Sequence, residues 1–302
     1  MQRFKNILFV ALGADPQTSA LVSEAEALVK ANDADLTVYG VAPEAPKLQR
    51  ALRLGDRDET VTEVVVGSLQ NQLETLATTL GIPTARVRVG VGPPPVEVVR
   101  EVLRSDHDLV IVASDGRDDR AAIVRRILRL CPCPVWVLRP DFTGARVLAA
   151  VDPDDDPRLN RLILHLAASQ AERYRGELHA VHAWEPYGHS ALVSGDYMPV
   201  SPRLITSLVD EVERAHRRAF EALLEDAGLD AKPTTHLVDG PPVQAITGLI
   251  DRYGIDLLVM GSVGRSGMDG LIVGNTAEQV FGKVRCSMLV VKPPEFATPV
   301  QL

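Results

Sequence analysis

Cysteine is scarce, with only Cys131, Cys133 and Cys286 in 302 residues. Three are too few for a disulfide scaffold and suit a reducing cytoplasm, which is the expected location. No apolar run approaches the roughly 18–20 residues that span a bilayer, so membrane insertion is not expected. Positive charge is in deficit: 32 Lys and Arg against 40 Asp and Glu leave a net charge of −8. The chain as a whole therefore offers no basic footprint for nucleic acid or an anionic membrane. Several catalytic signatures are absent too. There is no P-loop (G-x-x-x-x-G-K-S/T), no G-x-G-x-x-G dinucleotide fingerprint, no nucleophile elbow, no zincin motif and no kinase set. What remains is ordinary globular composition, 46% apolar and 24% charged, which excludes disorder, collagen and coiled coil as whole-chain descriptions. At roughly 100–200 residues per domain, the length suggests two domains.

One segment imitates a signal peptide: Arg3 and Lys5, then Ile7 to Ala14, then Asp15. The same basic-then-apolar pattern returns at Gly144-Ala-Arg-Val-Leu-Ala-Ala-Val-Asp152, far from the N-terminus. A pattern that recurs mid-chain reads as a buried strand rather than a leader.

That recurrence belongs to an internal repeat. Gly92-Pro-Pro-Pro-Val through Asp108-Leu-Val-Ile-Val-Ala-Ser114 aligns without a gap on Gly240-Pro-Pro-Val-Gln through Asp256-Leu-Leu-Val-Met-Gly-Ser262, at an offset of 148 residues. Phe4–Leu12 matches Gly144–Asp152, Leu36–Val41 matches Leu178–Ala183, and Cys133–Pro140 matches Cys286–Pro293. The matches keep their order in both halves. They predict two copies of one domain, 1–141 and 144–294, joined near Pro140–Gly144 and followed by a tail, 295–302.

Each copy alternates strands and helices. In the second, strands are expected at Arg146–Val151, Leu178–Ala183, Thr235–Val238, Asp256–Met260 and Met288–Val291. Helices are expected over Pro157–Tyr174, over Arg203–Ala227 with Gly228 as its stop, after Gly240-Pro-Pro, and from about Asn275. Strands that are almost continuously Val, Leu and Ile indicate a parallel sheet covered on both faces. Right-handed crossovers make each copy an α/β, doubly wound, Rossmann-like domain. In such sheets ligands bind beyond the carboxyl ends of the strands, which directs attention to Asp152, Ala183-Trp184, Asp239-Gly240 and Gly261 onward.

After the strand ending at Met260 comes Gly261-Ser-Val-Gly264-Arg265-Ser-Gly267-Met-Asp-Gly270-Leu-Ile-Val-Gly274-Asn275-Thr276, with five glycines in fourteen positions. Glycine permits positive φ and close backbone approach, and amides at a strand-to-helix junction favour an anion. The plainer alternative is a glycine-rich surface turn.

At these residues the chain resembles the universal stress protein family, whose nucleotide-binding members carry G-x2-G-x9-G-S/T. Gly261, Gly264 and Gly274 meet the three glycine positions, whereas Asn275 departs from Ser/Thr and Thr276 follows one step later. The resemblance covers nearly the whole chain and is strongest to the tandem-domain type, through Gly274–Val280 and the tail Lys292–Leu302. It implies two domains packed as an intramolecular pseudo-dimer, with the last strands, Val135–Leu138 and Met288–Val291, paired. It also implies that Asp152 holds an adenine edge, that Ala183 and Met260 line an apolar slot, and that Gly261, Gly264, Arg265, Gly274, Asn275 and Thr276 take the phosphates of ATP or a related nucleotide.

The first copy lacks this equipment. Gly116 to Cys133 is 17 residues, but Gly264 to Cys286 is 22, so five are missing from the stretch that holds the glycine loop. Ala113 replaces Gly261, Leu12 stands where Asp152 stands, and Asp118, Asp119 and Arg120 occupy the shortened turn. A nucleotide is expected in the second domain only.

Other groups have simpler readings. His179 and His182, at i and i+3 on one strand, point to opposite faces and cannot chelate one metal together, so they read as structural. Cys131-Pro-Cys133 has the wrong spacing for zinc and reads as core. The acidic run Asp152–Asp156 lacks the EF-hand pattern; Asp155 or Asp156 should cap the helix that begins at Pro157. The segment 184–200 has the length of a lid, and covering apolar surface is the alternative.

Three functions follow. The first is a cytoplasmic stress-response protein that holds a nucleotide as a signalling or structural ligand. The second is a nucleotide-free adapter. The third, an enzyme on the same fold, has the least support, because no catalytic set is present. Protein partners are not specified, and a homodimer of the whole chain is left open.

Overall fold

Strand β1 (Asn6–Val10) reads NILFV, and every residue after Asn6 is buried. Strand β4 (Leu109–Ala113), LVIVA, is buried throughout. Apolar side chains on both faces suit a sheet sandwiched between helices, not one with a wet side. The computed structural model describes residues 4–12, 17–43, 61–79, 86–114, 118–185, 202–262 and 275–302. By contacts it divides into two units: Met1–Phe142 with Ser287–Leu302, and Thr143–Cys286.

The first unit continues with α1 (Gln17–Asn32), β2 (Asp35–Ala42), α2 (Val61–Thr79), β3 (Val87–Val91), α3 (Pro94–Ser105), α4 (Asp118–Leu130) and β5 (Val135–Leu138). Asp118, Asp119 and Arg120, expected in a turn, thus lie in α4. In this unit the strand order is β3-β2-β1-β4-β5, all parallel. The second unit runs β6 (Arg146–Ala150), α5 (Pro157–Tyr174), β7 (Glu177–Trp184), α6 (Pro202–Ala227), β8 (Thr234–Asp239), α7 (Pro242–Tyr253), β9 (Leu257–Gly261) and α8 (Asn275–Phe281). Its strand order is β9-β6-β7-β8, again parallel. The doubly wound α/β expectation holds in both copies.

The last strand, β10 (Ser287–Val291), pairs antiparallel with β5, with Met288 opposite Val137, Leu289 opposite Trp136 and Val290 opposite Val135. All six side chains are at most 1% exposed. Ser287 Oγ accepts the Arg139 N–H at 3.0 Å, and Trp136 meets Phe142 edge-on at 5.6 Å between centroids. The expected pairing of the two last strands is therefore present. By sequence repeat β10 belongs to the second copy, yet by contacts Ser287–Leu302 clusters with the first. The tail is tied there as well, since Arg100 Nε donates to the Gln301 carbonyl at 3.1 Å.

Two devices recur in both copies. The Asp108 carboxylate accepts the backbone N–H groups of Lys5 and Asn6 at 2.6 and 3.0 Å. Its counterpart Asp256 accepts those of Ala145 and Arg146 at 3.0 and 3.3 Å. Each aspartate satisfies backbone donors at the entry to its copy's first strand. Gly92 and Gly240 adopt φ of +144° and +126°, a region that suits glycine. Their N–H groups bond Ala42 and Trp184 carbonyls at 3.1 and 2.9 Å, and prolines then start α3 and α7.

Leu289→Ala should cost about 2–5 kcal/mol, because it empties a fully packed site in the β5–β10 pair. Leu302→Ala, at a residue 71% exposed, should stay within about 0.5 kcal/mol. Urea unfolding of both variants measures this, and equal midpoints would contradict the packing account.

Candidate functional site

In the second unit β6 lies between β7 and β9, so strand order reverses at the carboxyl end of β6. The chain leaves β6 through Val151, whose N–H still bonds the Val181 carbonyl at 3.0 Å. Asp152 follows, and its peptide is gripped from α5. Its N–H donates to Asn160 Oδ1 at 3.1 Å, and Asn160 Nδ2 donates to its carbonyl at 2.6 Å. The Asp152 carboxylate accepts the Asp154 N–H at 3.2 Å, and the Asp155 N–H bonds the Asp152 carbonyl at 2.9 Å, which closes an Asx-type turn. Asp156 then caps α5 by accepting the Arg158 N–H at 2.8 Å, with Pro157 at the first helical position. Bonds from the Arg158 side chain and then its backbone hold the Asp156 carboxyl below its usual range. The acidic run is thus a turn and a cap, as the sequence suggested.

These turns border a pocket of about 130 Å³ at the ends of β6, β7 and β9. Asp152, Ala183, Met260, Gly261 and Thr276 all line it. Leu159 and Ile163 close one wall from α5, and Pro242 and Ile246 another from α7. Gly261 has a packing reason to be glycine. A Cβ there would stand 3.2 Å from Leu159 Cδ2, so the glycine admits α5 close to β9. Asn275 opens α8, but its side chain, together with Gly264, Arg265 and Gly274, lies outside the described residues. The 186–200 part of the long segment after Trp184 lies outside them as well.

Asn160 and Ser262 also line the pocket, and the sequence reading gave neither a role there. Ser262 is 1% exposed, and its Oγ has no hydrogen-bond partner among the described residues. An unsatisfied buried hydroxyl costs about 1–3 kcal/mol, and a bound polar group would relieve it. In the first copy the matching hydroxyl, Ser114 Oγ, accepts from Arg139 Nη1 at 3.2 Å. Only the repeat alignment of Ser114 on Ser262 could have flagged this position.

The histidines do face opposite sides of β7. His179 Nδ1 lies 3.0 Å from His236 Nε2, with the Tyr253 ring against both. His182 Nε2 lies 3.0 Å from His216 Nδ1, and Trp184 stacks on His216. Among the described residues no group of three potential ligands could hold a metal. Cys131 and Cys133 place their sulfurs 3.5 Å apart. Cys131 is buried and Cys133 half-buried; the bond to Cys131, then burial, pushes the Cys133 thiol well up, which does not suit a reactive thiolate. No helix among the described residues is long and apolar enough to cross a membrane.

The model of the universal stress protein family matches residues 3–139 and 145–292. This chain belongs to that family. Universal stress protein E of Salmonella typhi is 31% identical over 235 residues, 74% of this chain and 72% of that protein. Universal stress protein E of Escherichia coli K12 is 30% identical over 231 residues, with the same coverage of 74% and 72%. Among solved structures, a functionally unknown protein from Pseudomonas aeruginosa PAO1 superposes with a TM-score of 0.70 at 20% identity, covering 97% of this chain and 94% of that one. A universal stress protein from Archaeoglobus fulgidus gives 0.62 at 18% identity, covering 95% and 98%. At those identities the two structures show a shared fold.

Burial, the largest cause, holds His182 below its ordinary 6.5; the Asp152 charge opposes this and His216 adds to it. Burial likewise lowers His107 and His236, the latter with help from His179 and Arg252. Near pH 6.5 the unfolded chain takes up protons that the folded chain still refuses. These groups therefore contribute stability that is complete above about pH 6.5 and declines as pH falls through their folded values. The urea midpoint should drop between about pH 7.5 and about pH 5.5, with a shallower drop in His182→Phe. A midpoint that rises on acidification would contradict the assignment.

Proposed function

We propose that the second unit binds one adenine nucleotide, or a related nucleotide-containing ligand, as a signalling or structural ligand in a cytoplasmic stress response. The observation that carries this reading is the convergence of Asp152, Ala183, Met260, Gly261 and Thr276 on one pocket where strand order reverses. At about 130 Å³ the pocket is on the scale of one ring system; for comparison, an apolar cavity of about 150 Å³ holds benzene. Ala183 and Met260 supply apolar walls for the base, and the Asp152 carboxylate supplies an acceptor for its edge. The buried Ser262 hydroxyl supplies a polar group that lacks a partner among the described residues. The glycine-rich stretch 261–274 and Arg265 would take the phosphates.

The first unit is not expected to share the activity. Leu12 and Ala113 replace Asp152 and Gly261, no glycine follows Gly116 in its shorter segment, and Arg139 engages Ser114.

Chemistry on the nucleotide should be slight. Phosphoryl transfer needs a positioned attacking group and charge concentrated on the moving phosphoryl. The 261–274 stretch carries no P-loop lysine, and Asp269 is its only carboxylate. Such a site binds ground state and transition state about equally, and uniform binding does not accelerate the chemical step.

Isothermal titration with ATP should give one site per chain. Gly264→Val or Gly274→Val should abolish it by blocking close backbone approach, while Gly116→Val should leave it intact. Steady-state hydrolysis should fall well below the roughly 1–10³ s⁻¹ usual for enzymes. Two equivalent sites, or turnover in that range lost in Asp152→Ala, would overturn the proposal.

A further inference from the structure

We propose that Asn160 is a positioning residue for this site, and that its side-chain amide fixes the direction in which Asp152 presents its carboxylate to the ligand. The inference rests on the reading that Asp152 contacts a bound nucleotide.

The geometry is specific. Asn160 is 2% exposed and both ends of its amide engage one peptide: Oδ1 takes the Asp152 N–H at 3.1 Å and Nδ2 reaches the Asp152 carbonyl at 2.6 Å. A side-chain amide is the smallest group that offers an acceptor and a donor side by side. Asp152 stands beyond the end of β6, where the strand ladder no longer satisfies its backbone groups. Anchoring both of them to α5 fixes the Cα–Cβ direction, and with it the carboxylate. Functional groups must be held within about 0.5 Å of productive geometry, and a packed, hydrogen-bonded neighbour does this better than a free turn.

The repeat supplies an internal comparison. In the first copy Leu12 stands on Asp152, and α1 carries no asparagine before its last residue, Asn32. Each copy follows its first strand with a helix, α1 (Gln17–Asn32) in the first and α5 (Pro157–Tyr174) in the second. Backbone pairing at the strand end is shared too: the Ala11 N–H bonds Tyr39 at 2.9 Å as the Val151 N–H bonds Val181 at 3.0 Å. The first copy thus builds strand and helix without the asparagine, and it also lacks the aspartate. A residue needed only to dock the helix on the strand would be wanted in both copies. Asn160 instead accompanies the carboxylate.

The test has two arms on the full chain. In the ligand-free protein, amide exchange at Asp152 is measured by NMR in wild type, Asn160→Ala and the isosteric Asn160→Asp. The aspartate keeps an acceptor for the N–H but has no donor for the carbonyl. Asp152 exchange should quicken several-fold in Asn160→Ala, with the urea midpoint of Asn160→Asp showing that the fold persists. In the second arm ATP is titrated into wild type, Asn160→Ala, Asp152→Ala and the double variant. Asn160→Ala should weaken binding about five- to tenfold, as expected for one lost hydrogen-bonded anchor. The double variant should bind within about twofold of Asp152→Ala, because the asparagine acts only through the aspartate. Losses that multiply in the double variant would overturn the positioning role. Asp152 exchange at the wild-type rate in Asn160→Ala would overturn it as well, whether or not ATP binds. A wild-type chain that takes up no ATP overturns the nucleotide reading instead, and the exchange arm still decides the clamp.

Discussion

Ala150 of β6 lies opposite Met260 of β9, and on its other side β6 carries β7 with Ala150 opposite Val181. This double parallel pairing of the first strand is the constraint on which the candidate site depends. Strand order reverses at β6, and in such sheets a crevice for ligands opens beyond the carboxyl ends of the strands at that point. The register then decides what borders it: Asp152 stands two residues past Ala150, Gly261 and Ser262 directly follow Met260, and Ala183 lies near the end of β7. A slip of one residue would turn every one of these side chains to the other face. Buried, near-continuous apolar strands make such a slip expensive.

The duplication separates what the fold needs from what the site needs. Asp108 and Asp256, like Gly92 and Gly240, hold the same backbone groups in both copies. They are fold residues, although an acid or a glycine at a strand end looks functional in isolation. Asp152, Asn160 and Gly261 have no like counterpart, for Leu12 and Ala113 stand on the first and last, and α1 carries no asparagine before Asn32. Ser114 and Ser262 fall between these classes, being the same residue with its hydroxyl engaged by Arg139 in one copy and unpartnered among the described residues in the other.

Much of the fold was legible because its signals are local. Apolar runs of strand length, the Gly-Pro-Pro helix starts and the repeat itself locate nearly every element. Boundaries moved by a residue or so, as at Thr234–Asp239 against an expected Thr235–Val238. The β5–β10 pair was foreseen from resemblance and from the cost of leaving two such apolar edges open. Of the site, the residues beside strand ends were legible, since topology alone sends ligands there. Asn160 was not, because an asparagine near the start of a helix carries no mark of a distant partner, and its role appears only when α5 packs against the end of β6. The partners of His179 and His182 were hidden for the same reason: His236 and His216 are distant in sequence and meet them only across β8 and α6.

The central claim is that one of two similar units kept a ligand crevice. A crystal structure of the full chain grown with ATP tests it most directly. The account predicts density for one base against Asp152, Ala183 and Met260, and none beside Leu12 and Ala113. A base in the first unit, or in both, would contradict it.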